Sequence, residues 1–167
     1  SGYNLALCRA AENGHLHVLQ FLVKFRDSNG SGLTLEDIRS NYNYAIRGAA
    51  SNGHLHVLQF LQEFRDPNHN LNETYSRLNI EDFHSFNNSA LRWSAANGHL
   101  HVLQFLNSFK NSDGTHSGFT LRDIRFDDNY ALRCAAKNGH LHVLQFLKDF
   151  RDPLNSDMAL TPEDIRA

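Results

Sequence analysis

The chain has 167 residues, 41% of them hydrophobic and 11% aromatic, with a formal net charge of −2 when histidine is neutral. That is the size of one ordinary domain with enough apolar material to pack an interior, which excludes a disordered segment. A balanced charge with no run of Lys or Arg removes the electrostatic basis for nucleic-acid binding, and no apolar stretch approaches the ~20 residues of a membrane-spanning helix.

The chain opens Ser1-Gly2-Tyr3, without a starting methionine or a basic-then-apolar leader, and reads as a piece of a longer protein. A helix, here called helix A, is expected from Leu5, with Asn4 as its N-cap. Asn13-Gly14 then supplies a tight turn, glycine tolerating positive φ. Helix B follows, antiparallel to helix A. Its apolar positions are Leu16, Val18, Leu19, Phe21, Leu22 and Phe25, and its polar ones His17, Gln20 and Lys24. The polar set makes one narrow stripe at helical spacing, and nearly all the rest is apolar. Such a helix must be covered from two sides.

Next, Leu33-Thr34-Leu35-Glu36-Asp37-Ile38 carries the grammar of a helix start. Thr34 stands at N-cap and Asp37 at N3, while Leu33 and Ile38 occupy the two positions of a hydrophobic staple. A short helix of one to two turns is predicted here. A second helix A comes after it (Ala45-Ile46-Arg47-Gly48-Ala49-Ala50), with Asn43 ahead as N-cap, and then the same Asn-Gly turn and helix B.

The string NGHLHVLQFL occurs four times unchanged, beginning at Asn13, Asn52, Asn97 and Asn138, so successive starts lie 39, 45 and 41 residues apart. Self-similarity at such a period marks an array in which each unit stacks on its neighbours. Asn88 and Asn129 take the N-cap place ahead of the third and fourth helix A. The staple returns at Leu78/Phe83 with Asn79 as cap, at Phe119/Ile124 with Thr120, and at Leu160/Ile165 with Thr161 and Pro162 at N1. All period variation arises between helix B and the short helix. The longest such insert, Asp66 to Tyr75, is polar and is expected to be a surface loop. The expected units are 1–39, 40–83, 84–125 and 126–167, within one all-α array. The outer units keep the apolar helix B of the inner ones, so the stack is expected to continue or to be covered by another domain.

Four His-Leu-His pairs account for eight of eleven histidines. Helical residues two apart point about 200° from one another, so no metal site is expected from a pair, and neighbouring copies are too distant to share a zinc with ~2.0–2.1 Å bonds. The second histidines (His17, His56, His101, His142) are expected in an exposed row that could gain charge near pH 6.5. Ser94 and Cys134 lack the setting of a nucleophile, and the repeated Thr-x-x-Asp carboxylates read as caps. No enzyme, cofactor or small-molecule substrate is indicated. Cys8 and Cys134 lie in the first and fourth units, too far apart to pair, which fits a reducing compartment.

Unit four runs Tyr130-Ala131-Leu132-Arg133-Cys134-Ala135-Ala136-Lys137-Asn138-Gly139-His140, then Val143, Leu144 and Leu147. This skeleton of Ala-Ala, Gly-His, Val-Leu and Leu resembles the ankyrin repeat, whose unit reads Thr-Pro-Leu-His-x-Ala-Ala-x-x-Gly-His-x-x-Val-Val-x-x-Leu-Leu over about 33 residues. The opening here is Tyr-Ala-Leu-Arg or similar, unit three has Ser94 for the first alanine, and the linker is longer, carrying the short helix. The resemblance covers essentially the whole chain and is strongest to divergent, long-linker arrays of intracellular bacteria and large viruses of protists. It implies an all-α, ankyrin-like repeat solenoid of four helix-turn-helix units, each with an additional short helix in the linker. It also implies a Gly-His histidine that bonds backbone, and a concave groove lined by helix A and the linker tip. The implied function is protein–protein interaction, as the recognition part of a host-directed effector, in the cytoplasm or a host cytosol; a structural spacer is the alternative.

Positions that vary between otherwise identical units are free to serve contact. The series Arg9, Gly48, Trp93 and Cys134 is the sharpest. Trp93, the only tryptophan, stands beside Arg92, and these residue types carry much of the energy at protein interfaces. Tyr42, Tyr44, Phe86, Phe126 and Tyr130 either extend this patch or fill space between units. Arg47, Arg92 and Arg133 are expected to bond the adjacent linker.

Overall fold

The computed structural model describes residues 4–66, 77–110, 117–155 and 158–166, and among them every regular element is a helix. In chain order these are α1 (Leu5–Glu12), α2 (Leu16–Lys24), α3 (Leu35–Ser51), α4 (Leu55–Glu63), α5 (Ile80–Ala96), α6 (Leu100–Asn107), α7 (Leu121–Lys137), α8 (Leu141–Asp149) and α9 (Pro162–Arg166). None of these is long and apolar enough to cross a membrane. α1, α3, α5 and α7 pack one on the next, as do α2, α4, α6 and α8, and each odd helix also packs on the even one that follows it. The expected succession of helical layers is therefore present. The helix-B apolar surface is covered from two sides in the inner layers: Val57, Leu58, Leu61, Val102 and Leu103 have no solvent-accessible surface. Of the polar insert, residues 67–75 lie outside the described residues.

The capping boxes form as their spacing predicts. Asp37 N–H donates to Thr34 Oγ1 and Thr34 N–H donates back to Asp37 Oδ2, and the pattern repeats at Asn79/Asp82 and Thr120/Asp123. Both members of the staples Leu33/Ile38, Leu78/Phe83 and Phe119/Ile124 are buried.

Beyond each cap the chain departs from expectation. The short helix does not end in a loop with helix A restarting at a capping asparagine. Three consecutive residues instead turn in the left-handed region, at Asn41-Tyr42-Asn43, Phe86-Asn87-Asn88 and Asp127-Asp128-Asn129, all with φ between 50° and 59°. One extended residue precedes each turn (Ser40, Ser85, Phe126), and helix A follows without a break, so α3, α5 and α7 each contain both helices. Only Asn4 acts as the expected cap, accepting from Leu7 N–H at 3.1 Å. Asn43, Asn88 and Asn129 already have helix-like hand-reversed backbone, which aims their side chains elsewhere. Asn43 Nδ2 donates to Asp82 O and Asn88 Nδ2 to Asp123 Oδ1, both in the following layer. A left-handed non-glycine residue costs roughly 1–2 kcal/mol, least for Asn and Asp. Seven of these nine positions are Asn or Asp, and the last of each turn is Asn.

Polar side chains tie each layer to the next. Arg39 grips Asp82 with two bonds, Nε to Oδ1 at 2.8 Å and Nη2 to Oδ2 at 3.0 Å, and Arg125 grips Asp164 in the same way. His84 takes the corresponding place in α5. Its Nε2 is buried with no partner among the described residues, and burial pushes its pKa down against the pull of Asp123 and Glu81. Asp66 and Asp152, at the exits of α4 and α8, reach back to accept the first helical N–H of α3 and α7, Leu35 and Leu121.

The His-Leu-His pairs also serve the layer contacts, and two expectations about them change. The rings of each pair lie only 5.8–6.0 Å apart, because the first histidine is the N-cap residue and not a helical one. The second histidines do not form a free row. His56, His101 and His142 donate Nε2–H to the carbonyls of Gly14, Gly53 and Gly98 in the preceding layer, at 2.8–3.0 Å. Of the first histidines, His99 makes the expected kind of backbone bond, its Nε2–H donating to Ser51 O at 3.0 Å. Its ring, with those of His54 and His140, also covers the glycine one layer back. A Cβ on Gly14, Gly53 or Gly98 would meet the ring nitrogen of His54, His99 or His140 at 2.6–2.7 Å.

Candidate functional site

Helix A and the left-handed turn together position the surface side chains that sequence variation singled out. The turn matters because it carries Tyr42 and Phe86, and in α7 the extended residue ahead of it is Phe126. Tyr42 is 69% exposed, Phe86 51%, Trp93 42% and Phe126 39%. Large aromatics held this open in three successive layers make a candidate surface.

The side chains fall into two clusters built alike. In the first, the Arg47 guanidinium lies 4.5 Å from the Phe86 ring centroid and 5.4 Å from that of Tyr44, within cation–π range. Tyr42 leans on Phe86 with centroids 5.5 Å apart. In the second, Arg92 lies 5.4 Å from Phe126 and 5.3 Å from Tyr130, and Trp93 meets Tyr130 edge-on at 5.7 Å. The arginine of one layer thus covers an aromatic of the next, in the turn at Phe86 and just ahead of it at Phe126. Trp93 and Arg92 stand together with Phe126 and Tyr130, and Tyr42 and Tyr44 with Phe86. Arg9 joins the first cluster only through Glu12: it pairs with Glu12 at 2.6 Å, and Glu12 in turn accepts the Tyr44 hydroxyl at 2.8 Å.

The arginines bond the turns, in two ways. Arg47 donates to the carbonyls of Tyr42 and Asn41, and Arg133 to those of Asp128 and Asp127, each within its own layer. Arg92 reaches forward instead and pairs with Asp127 Oδ2 at 3.2 Å. Asp127, Glu12 and Arg47 belong to the clusters although sequence variation did not select them. Asp127 carried a signal nonetheless, as one of two adjacent aspartates just ahead of the helix-A asparagine.

The electrostatics are those of a paired surface. The Arg9 bond and the Tyr44 hydroxyl both hold the Glu12 carboxyl below its ordinary pKa, and the same bond to Glu12 raises Tyr44. Burial, chiefly, raises Tyr130 and lowers Arg47. Ser94 spends its hydroxyl on the carbonyls of Ala90 and Leu91, one turn back. Cys8 is buried, and burial raises its thiol; Cys134 is half-buried, and both are free. Among the described residues no three His, Cys, Asp or Glu side chains gather as metal ligands. The arrangement offers exposed aromatic area, guanidinium donors held in place and acidic counter-charges.

Neither a family model nor a curated protein matches the chain.

Proposed function

We propose that this chain is a non-catalytic, ankyrin-like repeat solenoid that binds a partner protein through its helix-A and turn surface. The observation that carries the reading is the open aromatic–arginine cluster at Trp93, with Arg92, Phe126 and Tyr130 held around it by cross-layer contacts. Such an anchor loses little rotamer freedom on binding, because its neighbours already restrain it. The absence of any cationic run argues for a protein partner over nucleic acid, and no enzyme activity or small-molecule substrate is part of the reading. A host-directed effector role, in a reducing cytosol, is the setting that the resemblance suggests.

The contacts of the same rings across layers, Tyr42 on Phe86 and Trp93 on Tyr130, favour a second reading, a spacer whose aromatics only brace the stack. Affinity capture separates the two. Wild type is compared with Trp93→Ala, Arg92→Ala and the remote exposed control Phe21→Ala on identical extracts. A protein retained by wild type and the control, and lost with both cluster variants, supports recognition. Identical recovery by all four refutes it.

A further inference from the structure

The two aromatic–arginine clusters differ in one charge. In the second, Arg92 Nη1 pairs with Asp127 Oδ2 at 3.2 Å. Asp127 opens the left-handed turn one layer ahead, and in the first cluster that place belongs to Phe86. Arg47 therefore has a ring over it where Arg92 has a carboxylate as well. Its Nε and Nη2 are spent on the carbonyls of Tyr42 and Asn41, at 2.8 and 3.0 Å. Nη1, the atom with which Arg92 holds Asp127, has no partner among the described residues.

No acid near Arg47 makes good the difference. The groups whose charge reaches it are the Tyr44 hydroxyl and the Cys8 thiol, and both are uncharged near neutral pH. Glu12 is already held by Arg9 and Tyr44. Burial pulls the Arg47 pKa down, as it does for a cation withdrawn from water without a counter-ion. Tyr42 and Phe86, the most exposed of the four open aromatics of this surface, stand beside this unpaired guanidinium.

We infer that Arg47 receives a carboxylate side chain of the partner protein, an Asp or Glu whose apolar neighbour rests on Tyr42 and Phe86. This rests on the recognition function proposed above and names the chemistry of one contact in it. The choice of anion follows from the twin cluster, where the chain itself sets an aspartate on the same guanidinium nitrogen. With Nε and Nη2 tied to carbonyls, the bidentate fork that suits a phosphate group is not left free. A partner carboxylate at Nη1 makes a charge-assisted bond beside a ring that keeps water off one side, which favours acidic partners over neutral ones.

Nitrogen–proton NMR of the arginine side chains tests this with sodium acetate as the probe, against sodium chloride at equal ionic strength. The Arg47 signal is the one lost in Arg47→Lys. It should move with acetate about threefold further than any other arginine signal. Phe86→Asn should keep the response, and Phe86→Asp, which supplies the carboxylate from within, should abolish it. Asp127→Asn should give Arg92 the response of Arg47. Asn and Asp are at ease in left-handed backbone, so these variants keep the fold, as far-UV circular dichroism verifies. An Arg47 signal that moves no further with acetate than with chloride overturns the inference, as does an equal response in Phe86→Asn and Phe86→Asp. Inorganic phosphate moving it further than acetate, at about pH 6 where both are mainly singly charged, also overturns it and points to a phosphorylated partner. The protein side is read from displayed random peptides: those selected by wild type should carry Asp or Glu about threefold more often than those selected by Phe86→Asp, and equal frequencies overturn the assignment. If these arms fail while Trp93-dependent capture persists, this inference alone falls and the recognition reading stands.

Discussion

The histidine–glycine contact between layers is open to a controlled measurement, because the same sequence occurs with and without it. Gly98 and Gly139 both stand in the left-handed region, at φ 79° and 77°. Alanine at either position therefore costs roughly 1–2 kcal/mol in backbone strain. At Gly139 that is the whole effect, since a Cβ meets nothing within 4 Å. At Gly98 the Cβ would sit 2.6 Å from Nδ1 and 2.8 Å from Cε1 of His140. The ring must move away, which also disturbs the 2.8 Å bond from His142 to the Gly98 carbonyl. Losing one such bond and some ring packing adds about 1–2 kcal/mol. Urea unfolding, followed by circular dichroism, should thus rank Gly98→Ala below Gly139→Ala by that amount. In a chain of this size the gap corresponds to about 2–8 °C in melting temperature. Gly14→Ala and Gly53→Ala should behave like Gly98→Ala. Equal losses at Gly98 and Gly139 would refute the idea that the histidine rings hold the layers together.

Leu58→Ala empties a fully buried site and should cost about 2–5 kcal/mol, while the same change at the half-open Leu144 should cost less than half as much; paired denaturation curves decide this. Burial is the first cause that holds His54, His84 and His99 below their ordinary pKa. Their unfolded forms bind protons at higher pH than the folded ones, so the stability they confer is complete above about pH 6.5 and is lost as pH falls below it. The urea midpoint should drop between pH 7.5 and 5.5, with a shallower drop in His84→Gln, and a flat profile would contradict the assignment. Arg125, helped by Thr161, holds the Asp164 carboxyl down to about 2 from 3.8, so its contribution is present above 3.8 and fades toward 2. Carbon-detected NMR titration should show that midpoint, and Arg125→Gln should return it toward 3.8.

The helices themselves were legible because their signals are local. Thr34 with Asp37 and Asn79 with Asp82 announce a capping box within four residues, and the helix-B stripe shows in ten. The left-handed turn was not legible, since Asn43 satisfies the rule for an N-cap as well as that for a reversed backbone. The distinguishing sign was the crowding of Asn and Asp over three positions, which a single cap does not need. The second histidines were misplaced for another reason. His56 is exposed, as its stripe predicted, but exposure leaves Nε2 free to reach Gly14, 42 residues earlier in the chain. A contact between identical copies leaves no mark in the pattern of either one. At the candidate surface, Trp93 was found from variation and Arg92 as its neighbour, whereas Asp127 became visible only when the turn brought it 3.2 Å from Arg92.

The left-handed turn has a consequence for how such a chain tolerates change. Its three occurrences agree within about 20° in every dihedral, although successive decamers are separated by 39, 45 and 41 residues. Length differences are thus absorbed upstream of the cap, and the joint between short helix and helix A is a fixed pawl that resets the spacing at each step. Foreign peptides grafted between Asp66 and Arg77 would leave that setting untouched, whereas a single residue added inside Asn41-Tyr42-Asn43 would throw every later layer out of step.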